Sequence, residues 1–280
     1  MKGLLKTSGI LRRKNFDISV DFQNNRASHA ISWLGAIPER FGYDNGRLSF
    51  FINKSIKYLK IRATPLAEQF RILKSIKINT IGASTYLEIW PSKEDFLYVD
   101  NLLKSAWVNS SQALVGINIG SSSRWETKRW PLKKFAKLSD MLAKKDIRVV
   151  LTGSEDVMDT VKDFMKISAT KPVNAVGRTS ITQLGALIKR CRVFLTGDSA
   201  PMHVASSMST DFIALFGPTD PARHFEPNEK GIVIRKDLKC SPCYRSKCKR
   251  NACMEGISVE EVYKLVMEKI NAHIIIYDPS

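Results

Sequence analysis

The stretch RVFLTGDSAPMHVA, residues 192–205, carries the clearest sign of the fold. An apolar run ends in a glycine, and an Asp-Ser turn then leads into a segment with helical spacing. Two interpretations fit this pattern. The turn and its histidine are structural, an N-cap and a core side chain, or the turn binds an anionic ligand at a helix N-terminus.

The sequence around this stretch repeats the same alternation. ALVGINIG (113–120) has the composition of a buried strand, and PLKKFAKLSDMLAKK (131–145) that of a helix with Pro131 as its first residue. Further strand and helix segments follow in turn: IRVVLTG, SEDVMDTVKDFMKI with Ser154 as N-cap, VNAVG, SITQLGALIKRC, RVFLTG, the helix after Pro201, DFIALFG and a closing helix after Ser258. This order predicts an α/β fold with a parallel sheet covered on both faces.

The first 110 residues show a weaker form of the pattern. FDISVDFQ (16–23) alternates like a strand, NRASHAISWLGA suits a helix, and ERFGY suits a short strand. The segment 92–108 has the spacing of an amphipathic helix that leads into the next domain. We therefore expect two domains, residues 1–108 and 109–280, the first with few strands for an independent sheet.

Composition limits the class of protein. No apolar run approaches the roughly 20 residues of a membrane span, and the first fifteen residues lack the apolar core of a secretory signal, which together predict a cytoplasmic protein. Lys and Arg number 44 against 27 acids, a formal net charge of +17 that favours anionic partners. No zinc-finger, RNP or basic-zipper pattern accompanies this charge, which argues against nucleic acid.

The basic excess is greatest in residues 47–77, which contain eight Lys or Arg and only Glu68 as an acid. Aromatic and aliphatic residues lie between these cations. The stretch is either a solvated helix face or a surface that contacts an anionic amphiphile, such as the cytoplasmic face of a membrane.

Polar loops follow three of the expected strands, at 120–130, 152–156 and 196–203. In a doubly wound sheet these loops share the ligand-binding edge. Serine hydroxyls with Lys128 suit a phosphate, a helix N-terminus suits a diphosphate, and Glu155 suits a ribose hydroxyl. Such loops are often only structural, but their joint placement favours a nucleotide site. Neither GxGxxG nor GxxxxGK[ST] is present, which argues against a dehydrogenase or a P-loop NTPase.

The order of these motifs resembles glycosyltransferase family 9, the ADP-heptose:lipopolysaccharide heptosyltransferases and their relatives. The resemblance rests on GINIGSSSRWETKRWPLKKFAKL, VVLTGSEDV, VFLTGDSAPMHVASSM, IALFGPTDPARHFEP and the cysteine segment from residue 240, and FDISVDFQNNRASHAISWLGAIPERFGY resembles the family's acceptor domain. It implies a GT-B fold, in which two Rossmann-like domains face a cleft, with the N-terminal domain incomplete.

The resemblance also implies which residues bind the phosphates of a nucleotide-sugar donor. Lys128 matches the lysine that pairs with the donor phosphates, and Ser121 and Ser122 lie in the loop whose hydroxyls bind the same group. Ser199, Ala200 and nearby backbone amides would contact the diphosphate. Family members often have glycine where this chain has Ala200, and alanine restricts a positive φ there.

Three further residues match the parts of the family site that contact sugars. Glu155 corresponds to the acid on the donor ribose, and Asp198 to the acid that contacts the sugar hydroxyls. His203 matches a histidine that either contacts the donor or braces the turn.

The expected catalytic base has no counterpart in this sequence. Relatives begin with a strand and a loop of the type SSLGD, whose aspartate is that base, whereas nothing before FDISVDFQ matches it. Either the start is placed too late, or the gene is truncated, or another carboxylate such as Asp21 serves. We therefore assign no catalytic residue.

Four cysteines form a C-x2-C-x4-C-x4-C pattern: Cys240, Cys243, Cys248 and Cys253. This spacing suits a zinc or iron–sulfur knuckle, and the alternative is a basic loop with reduced or disulfide-linked thiols. Cys191 lies in an apolar segment and is expected in the core.

The resemblance implies an inverting transfer of a heptose, or a similar sugar, from ADP-heptose to the lipopolysaccharide core. No cofactor is implied, and no Asp-x-Asp pair is present to hold a metal-bound diphosphate. The implied partners are the nucleotide-sugar, the anionic core acceptor and an anionic membrane at the inner face of the bacterial inner membrane. The alternatives are a non-catalytic nucleotide-sugar-binding remnant and a transferase for another bacterial glycan.

Overall fold

A computed structural model describes residues 2–44, 46, 48–57, 64–83, 86–121 and 124–275 of the chain. The chain divides into two compact units, Met1–Thr85 and Tyr86–Ser280. Each unit is built on its own parallel β-sheet. The α/β class expected from the sequence is therefore confirmed.

The first unit contains a three-stranded sheet in the order β1-β2-β3. Its strands are β1 (Ile18–Val20), β2 (Glu39–Asp44) and β3 (Lys54–Lys57), and its helices are α1 (Lys2–Lys14), α2 (Arg26–Leu34) and α3 (Pro65–Ser75). Asn25 caps α2, because its side chain accepts hydrogen bonds from the amides of Ala27 (2.8 Å) and Ser28 (3.0 Å). The elements expected from the sequence at β1, α2 and β2 are present, and α1, β3 and α3 are additional.

The second unit contains a six-stranded sheet in the order β6-β5-β4-β7-β8-β9, with every pair parallel. The strands are β4 (Leu114–Asn118), β5 (Arg148–Thr152), β6 (Val173–Asn174), β7 (Val193–Gly197), β8 (Phe212–Phe216) and β9 (Gly231–Arg235). This is the order of a doubly wound dinucleotide-binding sheet.

Eight helices accompany this sheet in the described part of the chain. They are α4 (Lys93–Ser105), α5 (Leu132–Ala143), α6 (Met158–Ile167), α7 (Ile181–Arg190), α8 (Ala200–Ser207), α9 (Pro221–His224), α10 (Ala252–Glu255) and α11 (Val259–Ile275). Across the described ranges, no helix combines the length and the apolar character that a membrane crossing requires.

The core of the second unit lies on both faces of its sheet. Every residue of β8 is buried, and the strand alternates between two apolar clusters. Ile213 and Leu215 pack in the cluster that contains α5 and α11, whereas Phe212 and Phe216 pack in the cluster that contains α8. This two-sided burial explains why the strands read as continuous apolar runs.

Helix α4 belongs to the second unit. Its Val99, Leu102 and Leu103 are at most 5% exposed and pack against β4, β5 and α7. Burial of this apolar face fixes the helix to the sheet that follows it in the chain. The division between the units therefore lies between residues 85 and 86, N-terminal to the 108/109 boundary that we expected from the sequence.

Two helix starts differ from their expected form. Pro131 has an extended ψ of 132° and lies at the N-cap position, so α5 begins one residue later than expected. Ser154 precedes a 3-10 turn, Glu155–Val157, and makes no side-chain cap. Its hydroxyl instead donates a hydrogen bond to the carboxylate of Asp156.

Candidate functional site

The sheet of the second unit has a switch point between β4 and β7. The chain winds outward from β4 through β5 to β6 and then returns to the other side of β4 with β7. The loops after Asn118 and Gly197 therefore diverge to opposite faces and leave a crevice at the carboxyl ends of the two strands. Ligands of open α/β sheets bind in this position.

Hydrogen bonds join the two loops at this point. The side-chain amide of Asn118 donates to the Gly120 carbonyl at 2.9 Å and to the Ser199 hydroxyl at 3.2 Å. The Ser199 and Thr196 hydroxyl oxygens are also 3.2 Å apart. Asn118 was not among the residues singled out from the sequence, because an asparagine at a strand end has no distinctive signature.

A lysine–aspartate pair lies at the same edge of the sheet. The Nζ of Lys128 is 2.7 Å from Oδ2 of Asp198, and the two side chains are 14% and 6% exposed. Thr219, in the loop after β8, donates its hydroxyl to the same Oδ2 at 2.7 Å. An ammonium group suits a phosphate, and a fixed carboxylate accepts hydrogen bonds from sugar hydroxyls.

A glycine permits Lys128 to approach β7 closely. A Cβ on Gly197 would lie 3.2 Å from the Lys128 carbonyl oxygen, which is closer than most real Cβ contacts. The lysine Nζ also lies 4.8 Å from the centroid of the Trp125 ring, within the range of a cation–π interaction. The backbone and the aromatic ring together position the ammonium group at the crevice.

Helix α8 begins directly after the lysine–aspartate pair. Ser199 is its N-cap residue, with φ −155° and ψ 168°, and its side chain caps no amide of the helix. The N–H groups and the dipole at the start of the helix favour an anion. Ala200 is the first helical residue and does not have a positive φ, so alanine in place of glycine is accommodated without strain.

The serine loop is held by a local network. Ser121 donates its hydroxyl to the Trp125 carbonyl at 3.0 Å and accepts a hydrogen bond from Nε of Arg129 at 3.2 Å. Ser122, the other candidate phosphate ligand of this loop, lies outside the described residues. Arg129 lies within the predicted loop 120–130 but was not singled out from the sequence as a functional residue.

Glu155 lies in the 3-10 turn after β5 and is exposed. Position 177, which packs against Glu155, favours glycine for two reasons. A Cβ at this position would lie 3.3 Å from the Cα of Glu155, and the φ angle is positive, 69°. Among the described residues, no hydrogen bond or ion pair joins Glu155 to the Lys128–Asp198 pair. Its assignment to a ribose hydroxyl stays a prediction.

Two histidines lie near the lysine–aspartate pair. Burial lowers the pKa of His203, in α8, and the charge of Asp198 opposes this shift. Burial also lowers the pKa of His224, in α9, again against the effect of Asp198. Nε2 of His224 is buried and has no hydrogen-bond partner within the described ranges. His224 was not predicted as part of the site, although it follows the LFGPTDP motif.

The two lowered pKa values predict a dependence of stability on pH. The unfolded chain has an ordinary imidazole pKa near 6.5, so it binds more protons than the folded chain between the folded pKa and that value. The contribution of these two histidines to the free energy of unfolding should therefore be complete above about pH 6.5. It should decrease as the pH is lowered from there toward the pKa values of the folded chain. Urea titrations of the wild type and of the His203→Gln/His224→Gln variant measure this, and an equal fall in both would contradict it.

The first unit contains a buried carboxylate that the sequence offered as a substitute base. Asp21 follows β1 and is 7% exposed. Its Oδ1 accepts a hydrogen bond from the Asn24 amide at 2.8 Å, and its Oδ2 lies 3.4 Å from Nε2 of the fully buried His29. These contacts fix the carboxylate within its own unit.

Of the two alternatives for the cysteine segment, a metal knuckle or a basic loop, the described residues form a loop with free thiols. Cys240, Cys243 and Cys248 are exposed, Cys253 is buried, and all four thiols are free. In the part of the chain that the structure describes, no group of three or more His, Cys, Asp or Glu side chains is arranged to hold a metal ion. Residues 239–251 form an irregular loop, whereas Cys253 lies in α10 and packs under Gly217, with its Sγ 3.1 Å from the position of a Cβ there.

Cys191 lies in the core, as expected from the sequence. It is 6% exposed and donates its thiol to the Leu187 carbonyl at 3.3 Å. Burial raises the pKa of this thiol to about 12, so it stays protonated.

Solved glycosyltransferase structures share this fold. The family 9 glycosyltransferase of Veillonella parvula matches with a TM-score of 0.77 and 23% identity over 95% of this chain and 78% of its own. The ADP-heptose lps heptosyltransferase II of Escherichia coli matches with a TM-score of 0.73 and 23% identity over 96% of this chain and 80% of its own. The expected GT-B class is therefore confirmed.

The sequence comparison identifies the family. The model of glycosyltransferase family 9 (heptosyltransferase) matches residues 5–254. The chain belongs to this family.

Curated relatives include the lipopolysaccharide heptosyltransferase 2 of Escherichia coli, 26% identical over 238 residues, 80% of this chain and 66% of the relative. The lipooligosaccharide heptosyltransferase 2 of Campylobacter jejuni is 28% identical over 174 residues, 60% of this chain and 54% of the relative. The chain thus spans between about half and just under two thirds of the length of these curated relatives.

Proposed function

We propose that the protein transfers a heptose, or a similar sugar, from ADP-heptose to the lipopolysaccharide core in the cytoplasm. The Lys128–Asp198 pair, beside the N-terminus of α8 at the β4–β7 switch point, is the observation that carries this proposal. Family membership and the heptosyltransferase names of the relatives support the choice of sugar and acceptor.

The proposed reaction is a direct displacement at the anomeric carbon. An acceptor hydroxyl forms the new C–O bond and loses its proton to a general base, while the bond to the diphosphate breaks and ADP leaves with the electron pair. Lys128 and the first amides of α8 stabilise the developing negative charge on ADP. Attack opposite the leaving group inverts the anomeric configuration, and these groups perform their role without a metal ion.

A transfer assay tests this function. The protein is incubated with ADP-heptose and a heptose-deficient lipopolysaccharide core, in EDTA, while ADP release and the glycosylated core are measured. We expect both products, with the anomeric configuration inverted in the proton NMR spectrum. Binding of ADP-heptose without transfer would favour the non-catalytic alternative, and transfer only to another glycan would change the acceptor.

We also propose that the first unit contacts the anionic inner face of the membrane. Trp33 and Phe50 are 48% and 72% exposed, and their rings pack on Phe51 with centroids 4.6 and 4.2 Å away. The same unit exposes Lys57 and Lys77, whereas Arg47, Lys60 and Arg62 of the basic stretch lie outside the described residues. Exposed aromatic rings and exposed cations in the same unit suit a surface that binds an anionic bilayer.

Liposome binding tests this membrane contact. We expect binding to vesicles with anionic lipid, weaker binding to neutral vesicles, and loss of binding as salt shortens the Debye length below about 10 Å. Trp33→Ala/Phe50→Ala should bind less, because the rings no longer enter the interface. Trp107→Ala is the matched control, since Trp107 is 91% exposed in the second unit. Equal binding by the two variants would contradict the assignment.

A further inference from the structure

The cysteine loop, residues 239–251, is strongly basic. It contains five cations and no acid, and all five cations are exposed: Lys239, Arg245, Lys247, Lys249 and Arg250. In the described ranges, none of them forms an ion pair with a carboxylate. We call this segment the basic loop.

Hydrogen bonds fix the basic loop beside the Lys128–Asp198 pair. Thr127, the residue before Lys128, is 3% exposed and donates its hydroxyl to the Arg245 carbonyl at 2.7 Å. On the other side, the Pro218 carbonyl accepts hydrogen bonds from the amides of Cys243 (3.0 Å) and Tyr244 (2.9 Å). Pro218 immediately precedes the threonine that bonds Asp198. The loop is therefore attached on both sides of the pair.

The Lys128–Asp198 pair and the basic loop differ in their net charge. The ammonium group of Lys128 is balanced by Asp198 at 2.7 Å, so the pair itself adds no net charge. Beside this balanced pair, the basic loop adds five exposed cations. Its exposed cations repel one another, and a ligand with several negative groups relieves that repulsion.

We propose that the basic loop binds the anionic substituents, phosphates or carboxylates, of the saccharide acceptor. This inference rests on the proposed function, since it requires a donor at the Lys128–Asp198 pair and an acceptor beside it. A membrane-binding surface would need several large exposed apolar side chains. Within the described residues of the basic loop, Tyr244 is the one such side chain, and it is 41% exposed.

Binding measurements test the inference with two matched variants. The loop variant is Arg245→Ala/Lys247→Ala/Arg250→Ala, and the control is Lys144→Ala/Lys145→Ala/Lys171→Ala. The control removes the same total charge. Its lysines are exposed and precede β5 and β6, so they lie at the amino ends of these strands, away from the basic loop. The probes are ADP, a deacylated phosphorylated lipopolysaccharide core oligosaccharide, the same oligosaccharide after dephosphorylation, and anionic vesicles.

We expect the loop variant to bind the phosphorylated oligosaccharide roughly tenfold more weakly than the control, because it lacks three exposed charges that each contribute a modest factor to the affinity. This difference should shrink at about 1 M salt, where the Debye length is about 3 Å. Dephosphorylation of the oligosaccharide should reduce the difference in affinity between the two variants if the loop binds phosphates. It should leave this difference unchanged if the loop binds carboxylates. ADP binding should match the control.

Three results would overturn the inference. The two variants could bind the oligosaccharide equally well, or the loop variant could lose as much affinity for ADP as for the oligosaccharide, or it could lose binding to the anionic vesicles alone. Absence of ADP binding by the wild type would instead contradict the proposed function. Because the two failures appear with different probes, they are distinguishable.

Discussion

Lys128→Met weakens binding of ADP and ADP-heptose by about 1.5–3 kcal/mol, the contribution of a hydrogen bond to a charged group. Methionine keeps an aliphatic stem beside Trp125 and removes the charge that would meet the diphosphate. It also leaves Asp198 without its cation, so an anionic ligand meets an uncompensated carboxylate. Both effects act in the same direction, and isothermal titration calorimetry measures their sum.

The matched control for this variant is Lys162→Met. Lys162 forms an ion pair with Asp159 at the same N···O distance, 2.7 Å, but at an exposed site where the two side chains are 66% and 90% accessible. Its loss should leave the affinity for ADP unchanged. If Lys128→Met binds ADP as tightly as Lys162→Met does, Lys128 is not a donor ligand.

Phe194→Ala lowers the free energy of unfolding by about 3–5 kcal/mol, the usual cost of truncating a buried aromatic ring. Phe194 is fully buried in β7 and lies opposite Gly116 of β4 in the parallel register. A Cβ on Gly116 would be 2.5 Å from the ring, so the ring fills the space that the glycine leaves. The two strands of the switch point are thus fitted to each other.

A double-mutant cycle with Gly116→Ala tests this fit. In the wild type, the added methyl group clashes with the ring and should cost about 1–3 kcal/mol. In the Phe194→Ala background, it enters the vacated space and should cost much less. Ile181→Ala, at a position that is 65% exposed, should change stability by no more than about 0.5 kcal/mol. Additive costs in the cycle would contradict the proposed packing, and urea unfolding supplies all four values.

The second unit could be predicted well because its strands are buried on both faces. β4, β5, β7 and β8 are short apolar runs between polar loops, so strand and helix alternate visibly along the chain. The first unit offers less information. β3 reads KSIK and has three exposed residues of four, a pattern that local sequence does not distinguish from a loop.

The sequence also did not show which sheet α4 packs against. The amphipathic pattern of α4 shows that it buries a face, but the pattern cannot tell which sheet receives that face. Leu102 and Leu103 pack on the second sheet, and this is a tertiary choice between two neighbours in the chain.

The candidate site could be predicted where strand ends determine it. Lys128 and Asp198 follow β4 and β7, and parallel strands bring such loops to one edge. Thr219, Asn118 and His224 were not predicted, because their contacts depend on loop conformations that no periodic pattern reveals. The cysteine spacing suggested a metal knuckle, yet spacing does not establish that four thiols converge.

A crystal structure with ADP bound tests the central claim, that the β4–β7 switch point is the donor site. We expect the diphosphate within hydrogen-bond distance of Lys128 Nζ and of the first backbone amides of α8, with the Lys128–Asp198 distance longer than 2.7 Å because the ammonium group then serves two anions. Diphosphate density at any other place in the second unit, with that pair unchanged, would contradict the claim.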